Sequence, residues 1–174
     1  LDGENMRDSI FHMISVYLEN TADRIIPADM DYEDWNLKAL NRSIRETIPE
    51  LSVTDEDVKG MSQKQLKHLL KERSAKAYEQ KEAEFPEAEH LREIERVVLL
   101  KVIDAKWMGH IDDMDQLRQG IGLQAYGQRD PKVEYKMLGY DMFGEMTNAI
   151  TEDTVRTLFH VKIEQKVERE QVAK

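Results

Sequence analysis

Two acid–imidazole patterns in the sequence have spacings that could support chemistry. Glu87 and His90 are three residues apart, which matches the Glu-x-x-His unit of helical di-iron proteins. Those sites need a second unit of the same kind and two further glutamates. The residues three positions before the other histidines are Ser9, Gln65, Trp107 and Thr157. Since no second unit exists, we expect no metal here and interpret the pair as a solvated helix start. A helical metalloenzyme is the alternative, which a metal assay would test.

His110 and Asp113 form the second pattern, an acid–base pair about one helical turn apart. Such pairs on a helix are usually surface hydrogen bonds, and no serine or second histidine is placed to complete a nucleophilic site. The sequence also has no cysteine and no glycine-rich phosphate loop ending in Gly-Lys-Ser or Gly-Lys-Thr. We therefore predict that this chain is not an enzyme and has no catalytic, cofactor-binding or metal-binding residue.

The composition of the 174 residues favours elongated helical architecture. Hydrophobic residues make up 40% and charged residues 34%, and only 8 glycines and 4 prolines interrupt the chain. The net charge of −10 disfavours nucleic acid and anionic lipid as partners of this chain. No apolar run approaches the roughly 20 residues that span a bilayer. The chain begins at Leu1 rather than methionine, and we expect it to be a piece of a longer protein.

Apolar residues recur every three or four positions along the first half, which predicts four helices separated by short breaks. The first helix ends at Pro27, because proline cannot continue the hydrogen-bond ladder. Asp31 has the character of an N-cap for the second helix. The third runs from Thr54 to Gly60, and the fourth begins at a capping box formed by Ser62 with a glutamine three residues later. We find no alternating strand pattern, so the predicted fold is all-α.

The second half predicts a long antiparallel hairpin of two helices over residues 89–150. Helical spacing continues for nearly thirty residues up to glycines 120 and 122, and Asp130-Pro131 then forms the favoured start of a returning helix. Gly139 and Gly144 lie inside that helix at a cost of about 1 kcal/mol each. Close approach of the two helices would account for both. A further helix is predicted from Thr151 to Glu170.

The loop of the hairpin keeps apolar and aromatic residues that an exposed loop usually lacks. Tyr126 lies among glycines, and cations flank it in an otherwise acidic chain. Tyr126 either makes an external contact or folds back on a neighbouring helix. Five methionines in the hairpin allow a similar pair of interpretations, a soft peptide-binding surface or ordinary core filling. They are Met108, Met114, Met137, Met142 and Met146.

Residues 107–131 read WMGHIDDMDQLRQGIGLQAYGQRDP and are followed by Glu134-Tyr135-Lys136 and Met142-Phe143. This long, ungapped pattern strongly resembles the SecA preprotein translocase ATPases, and a weaker likeness extends over the rest of the chain. The resemblance implies a helical scaffold segment at residues 1–28 and a small helical wing domain at 29–88. It also implies that 89–150 is a two-helix finger, which regulates ATP hydrolysis within the protein, and that 151–174 is a returning scaffold helix.

The resemblance further implies partners and a contact site. The parent protein would be an ATPase of the bacterial cytoplasm and the cytoplasmic face of the cell membrane. Its partners would be the SecYEG channel, the unfolded preprotein, its own motor domains and, through the parent, an anionic membrane surface. ATP and Mg would bind the motor domains, which this chain lacks. Tyr126 matches the fingertip tyrosine of the family. The residues expected to contact preprotein and channel are Tyr126, Leu123, Gln124, Ala125, Gly127, Gln128 and Arg129, with Arg118 and Lys132 as supporting cations.

This chain departs from many relatives at two tip positions. Gly122 replaces a histidine or another polar residue, and Gln124 replaces an arginine, so the tip is less basic here. The alternative function is a non-motor helical scaffold or protein-interaction domain, in which the hairpin tip would tolerate mutation.

Overall fold

The structure is a computed structural model that describes residues 3–123 and 130–163. The described residues form six α-helices and no strand, which confirms the predicted all-α fold. The helices are α1 (Gly3–Ile25), α2 (Leu37–Thr47), α3 (Asp55–Val58), α4 (Gln63–Ala83), α5 (Ala88–Leu123) and α6 (Pro131–His160). A single 3-10 turn, Tyr32–Asp34, precedes α2.

Local capping signals place most of the helix starts where the sequence predicts them. The Thr54 hydroxyl caps α3, and Ser62 forms the predicted capping box at the start of α4. Gly60 separates these helices with φ of 74°, a left-handed conformation that favours glycine. At the start of α6 the side chain of Asp130 accepts a hydrogen bond from the backbone N–H of Lys132.

The predicted start of the second helix at Asp31 is wrong by about one turn and a half. Asp31 precedes the 3-10 turn and forms no side-chain capping bond among the described residues. The cap of α2 is instead Asn36, whose side chain accepts the backbone N–H of Ala39. The buried indole of Trp35 donates to the carbonyl of Met30 and holds the preceding segment in an irregular path.

The two long helices continue past the boundaries that the sequence predicts. α5 runs through Gly120 and Gly122 to Leu123. α6 is continuous to His160, with no break at Thr151, whose hydroxyl donates to a carbonyl one turn earlier in the same helix. No proline interrupts this region, so nothing in the backbone chemistry forces a new helix. The predicted helix to Glu170 is wrong just beyond His160, because Val161 is an extended cap and residues 161–163 are not helical. Residues 164–170 lie outside the described residues.

The hydrophobic core forms around α1, whose residues Ile10, Ile14 and Leu18 are at most 2% exposed. This helix packs against α2 and α4 and also against the hairpin helices α5 and α6. From the hairpin helices the core takes residues near one end of the pair. Its fully buried members from there are Leu91, Val155, Leu158 and Phe159. We call this end the base of the hairpin.

Candidate functional site: the hairpin and its base

Contacts at two levels show that α5 and α6 lie antiparallel. Lys106 Nζ is 2.9 Å from Asp153 Oδ2, and farther from the base the rings of His110 and Phe143 are 5.8 Å apart. At 1.5 Å per residue, the 36 residues of α5 span about 54 Å and the 30 residues of α6 about 45 Å. The chain thus presents a long helical hairpin whose base alone contributes to the hydrophobic core.

The predicted close approach of the two helices is confirmed at one glycine and wrong at the other. A Cβ atom added at Gly139 would lie 2.8 Å from Met114 Cε, so the side chain of Met114 occupies the space above the glycine. At Gly144 an added Cβ would meet none of the described atoms within 4 Å. Packing therefore accounts for Gly139 but leaves Gly144 unexplained.

A buried polar network ties the base of the hairpin to the rest of the fold. The Tyr78 hydroxyl of α4 donates to Glu95 Oε2 of α5 over 2.7 Å, and both residues are inaccessible to solvent. Arg92 Nη2 donates to Glu82 Oε2 over 2.6 Å. Glu82 also accepts two hydrogen bonds of about 3.0 Å from Arg7 of α1. Three helices are thus connected through charge-assisted hydrogen bonds.

Burial dominates the electrostatics of this network. Removal from water raises the pKa of the Glu95 carboxyl, although the Tyr78 hydroxyl and Arg92 favour its charged form. The same burial, together with the adjacent Glu95, raises the pKa of Tyr78 far above its usual value. Arg92 Nε lies 2.8 Å from Glu95 Oε1, but the N–H is not aligned for a hydrogen bond, so this contact is an ion pair alone.

Aromatic rings surround the network and fix its position. The ring of Tyr78 packs edge-on against Phe11 at 5.4 Å and against Phe159 at 5.5 Å, which brings α1 and the end of α6 to the same point. Lys81 of α4 adds a contact at the end of α6, where its Nζ donates a hydrogen bond to the carbonyl of Val161 over 2.7 Å. Sequence periodicity marks Tyr78 as apolar core, but it gives no sign of its buried acidic partner.

Most of the predicted contact residues lie outside the part of the chain that the structure describes. Leu123 is the last residue of α5. Outside the described residues are Gln124, Ala125, Tyr126, Gly127, Gln128 and Arg129. Of the two supporting cations, Arg118 is an exposed side chain at the distal end of α5, and Lys132 is the second residue of α6. Both line a groove of about 460 Å³ between the helices, together with Ile121, Pro131, Tyr135 and Lys136.

One group of hairpin side chains is exposed although the periodicity assigns most of them to buried helix faces. Leu100 is 61% exposed, Trp107 47%, Ile111 46%, Tyr140 80% and Phe143 45%. We call these five residues the apolar face of the hairpin. A helical stripe predicts that a face is apolar, but it does not show whether anything covers that face.

Comparison with known proteins gives the family. Residues 1–162 match the family described as SecA Wing and Scaffold domain. The chain belongs to this family. The chain is 60% identical to the protein translocase subunit SecA of Lachnoclostridium phytofermentans, and the match covers 100% of this chain and 20% of that protein. It is 43% identical to SecA of Pelotomaculum thermopropionicum, over 98% of this chain and 19% of that protein. The chain thus spans about a fifth of the length of these curated relatives.

The five hairpin methionines of this SecA wing and scaffold domain fall into different environments. Met146 is 9% exposed, and Met114 packs over Gly139. Met108 and Met137 are instead 68% and 64% exposed, and Met142 is half-buried. Core filling therefore describes the first two residues, and the exposed pair belongs to the outer surface of the hairpin.

The two acid–imidazole patterns occupy ordinary helical positions in this SecA wing and scaffold domain. His90 is in the first turn of α5, with its ring edge-on to Phe85 at 5.7 Å. The ring of His110 is tilted against Trp107 at 5.6 Å and edge-on to Phe143 at 5.8 Å. Within residues 3–123 and 130–163, no three histidine or acidic side chains converge as metal ligands would. None of the helices described there is long and apolar enough to cross a membrane.

Proposed function

We propose that this chain is part of a SecA protein translocase, which couples ATP hydrolysis to the transfer of preproteins into and across the bacterial cell membrane through SecYEG. The support is the family match over residues 1–162 and the relatives named protein translocase subunit SecA. In this proposal the chain does not hydrolyse ATP. ATP and Mg bind motor domains elsewhere in the protein, and the translocase works in the cytoplasm and on the cytoplasmic face of the membrane.

The hairpin is the part of this chain that we propose as the finger. The observation that carries the proposal is its attachment: its base is fixed by a buried network and aromatic packing, and its apolar face remains exposed. A helix pair held at one end passes displacement of its base on to its far end. In the parent protein the motor domains would move the base, and the hairpin would also regulate ATP hydrolysis.

The tip residues are proposed to touch the preprotein and the channel. Tyr126 would engage polypeptides of varied sequence, because a phenol ring makes apolar contacts and hydrogen bonds without a fixed pocket. Arg118, Arg129 and Lys132 would meet acidic groups or carbonyls, in contacts that are individually weak and weakened by salt.

Site-specific cross-linking tests this proposal. A photoreactive amino acid at position 126 of the full-length translocase is expected to cross-link to a stalled preprotein and to SecY. The same amino acid at the exposed wing position Lys76 serves as the control. Equal labelling from both positions, or none from position 126, would contradict the proposal.

Substitution of the tip residue gives an independent measurement. Tyr126→Ala in the full-length protein is expected to reduce translocation strongly while leaving the chain folded. Tyr126→Phe and Tyr126→Trp should keep part of the activity, since both retain an aromatic ring. Normal translocation by the alanine variant would overturn the contact role.

A non-motor scaffold or protein-interaction domain is the alternative function. The exposed apolar face, with Trp107 and Tyr140, favours it, because such surfaces often bind other proteins. This alternative predicts that substitutions on the apolar face weaken the binding of a partner protein, while Tyr126→Ala leaves that binding unchanged.

A further inference from the structure

Glycine occurs in the interior of both hairpin helices at the same level. Gly109 lies in α5 and Gly144 in α6, next to His110 and Phe143, whose rings are 5.8 Å apart. A Cβ atom added at either glycine would meet nothing within 4 Å in the described part of the chain. Steric packing therefore explains neither residue, in contrast to Gly139, where the side chain of Met114 fills the space.

The pair weakens both helices at one point along the hairpin. Glycine in a helix interior costs about 1 kcal/mol relative to alanine, because its backbone loses more conformational freedom on folding. A single glycine in one helix would lie beside an intact stretch of the other helix, which would resist bending there. Since Gly109 and Gly144 share a level, each glycine lies beside the weak position of the other helix.

A side-chain hydrogen bond adds to this weakness in α6. The hydroxyl of Thr147 donates to the carbonyl oxygen of Gly144 over 2.9 Å. A threonine hydroxyl bonded to a carbonyl of the preceding turn competes with the backbone ladder and often bends a helix. Thr151 and Thr157 make the same kind of bond in α6, but to carbonyls of residues other than glycine. Kinks in long helices are associated with paired glycine and serine residues and with side chains that enter the hydrogen-bond ladder, and Gly144 is a glycine whose carbonyl accepts a side-chain bond.

Packing holds the hairpin together on both sides of this level. Toward the base, Asn20 of α1 donates to Asn148 over 3.3 Å, and Lys106 pairs with Asp153. Toward the tip, Met114 packs against Gly139, and farther out Ile121 is 7% exposed. The hairpin thus has packed contacts on both sides of this level, and at the level itself the rings of His110 and Phe143 meet across the two helices while the glycines contribute no side-chain contact.

We propose that Gly109 and Gly144 form a joint at which α5 and α6 bend together, so that the tip half swings as a unit relative to the base. This property belongs to the hairpin itself and goes beyond the proposed role in translocation, in which displacement of the base would then reach the tip half through the joint rather than through a rigid pair of helices. It holds or fails in the isolated chain, whatever the partner of the tip.

Spin-label distance measurements test the joint directly, because the chain has no cysteine to remove. One label is placed at the exposed wing position Lys76→Cys and the other at Asp115→Cys in the tip half. In this background, Gly109→Ala with Gly144→Ala is expected to narrow the distance distribution about twofold. Both alanines fit the helical backbone without contact, so the variant should fold, which circular dichroism checks.

Two controls separate a joint from general helix stabilisation. Labels at Lys76→Cys and Lys101→Cys stay on the base side, and their distribution should be the same with or without the alanines. Gly120→Ala with Gly122→Ala also replaces helical glycines in open space, but beyond position 115. This second variant should leave the Lys76–Asp115 distribution unchanged. The proposal would be overturned if the Gly109/Gly144 variant left the width of the Lys76–Asp115 distance distribution unchanged. It would also be overturned if the Gly120/Gly122 variant narrowed that distribution equally.

Discussion

The hydroxyl of Tyr78 donates to Glu95 Oε2 over 2.7 Å, and neither residue is accessible to solvent. The bond joins the last turns of α4 to the third turn of α5, where the hairpin leaves the core. A buried carboxylate is costly unless it is hydrogen-bonded or paired, so this contact constrains how the hairpin leaves the core. Its loss should therefore affect stability measurably.

Tyr78→Phe is expected to lower the free energy of unfolding by about 1–3 kcal/mol, because it leaves a buried acceptor on Glu95 without its donor. The aromatic contacts to Phe11 and Phe159 should persist, since the ring remains. Urea unfolding measures the change. Tyr140→Phe is the matched control at a residue that is 80% exposed and should have no effect. Equal values for the two variants would show that the buried bond contributes nothing.

Lys81→Met should loosen the end of α6. The Lys81 side chain is 9% exposed, and its Nζ donates to the carbonyl of Val161, the residue that follows the helix. Methionine preserves most of the apolar stem but removes a charge-assisted hydrogen bond, at an expected cost of about 1.5–3 kcal/mol. Faster hydrogen exchange in the last turn of α6 should accompany this loss. Lys76→Met, at an exposed position of the same helix, should change neither quantity.

Stability in acid should depend on Asp57. The Arg73 guanidinium donates to its carboxylate over 2.9 Å, and Thr54 adds further hydrogen bonds, which together hold the pKa of Asp57 far below its ordinary value of 3.8. A depressed folded-state pKa adds stability above the ordinary carboxyl pKa, and this stability is lost as pH falls below it. Asp57→Asn should therefore be less stable at pH 7, and its unfolding free energy should fall less steeply below about pH 4.

Urea midpoints between pH 7 and pH 2 measure this difference for Asp57→Asn and the parent chain. The two stability curves should approach one another at the acid end. Asp55→Asn, at the exposed neighbouring position, provides the comparison and should follow the parent curve. A constant gap between Asp57→Asn and the parent at every pH would show that the ion pair with Arg73 is not the cause.

Gly139→Ala should stabilise the hairpin less than Gly144→Ala. Both substitutions gain about 1 kcal/mol of helix propensity, but only the alanine at position 139 displaces the end of the Met114 side chain. In a Met114→Ala background the two substitutions should become equivalent, which a comparison of thermal midpoints would show. If the two substitutions already raise the thermal midpoint equally in the parent chain, the Met114 side chain moves aside without an energetic cost, and the close approach has no consequence for stability.

The local signals in this sequence were sufficient to place several elements. Thr54 and Ser62 begin α3 and α4 as capping residues, and Asp130 begins α6, because their bonds reach no farther than the next turn. The start of α2 was misplaced, since Asp31 has the same local character as a true cap. The buried indole of Trp35, bonded to the carbonyl of Met30, distinguishes the two cases, and burial is not visible in sequence spacing.

Sequence alone determined the helical class, most capping positions and the family resemblance, because these depend on residue type and on spacings of three or four positions. Tertiary structure decided what each helix face meets. Periodicity gave similar apolar stripes to both ends of the hairpin, yet Leu158 is buried in the core and Tyr140 is exposed. Periodicity also did not predict the hydrogen bond between Tyr78 and Glu95, which are 17 residues apart. The physical reason is that a stripe states which side chains favour leaving water, whereas their burial depends on which distant helix the fold brings against them.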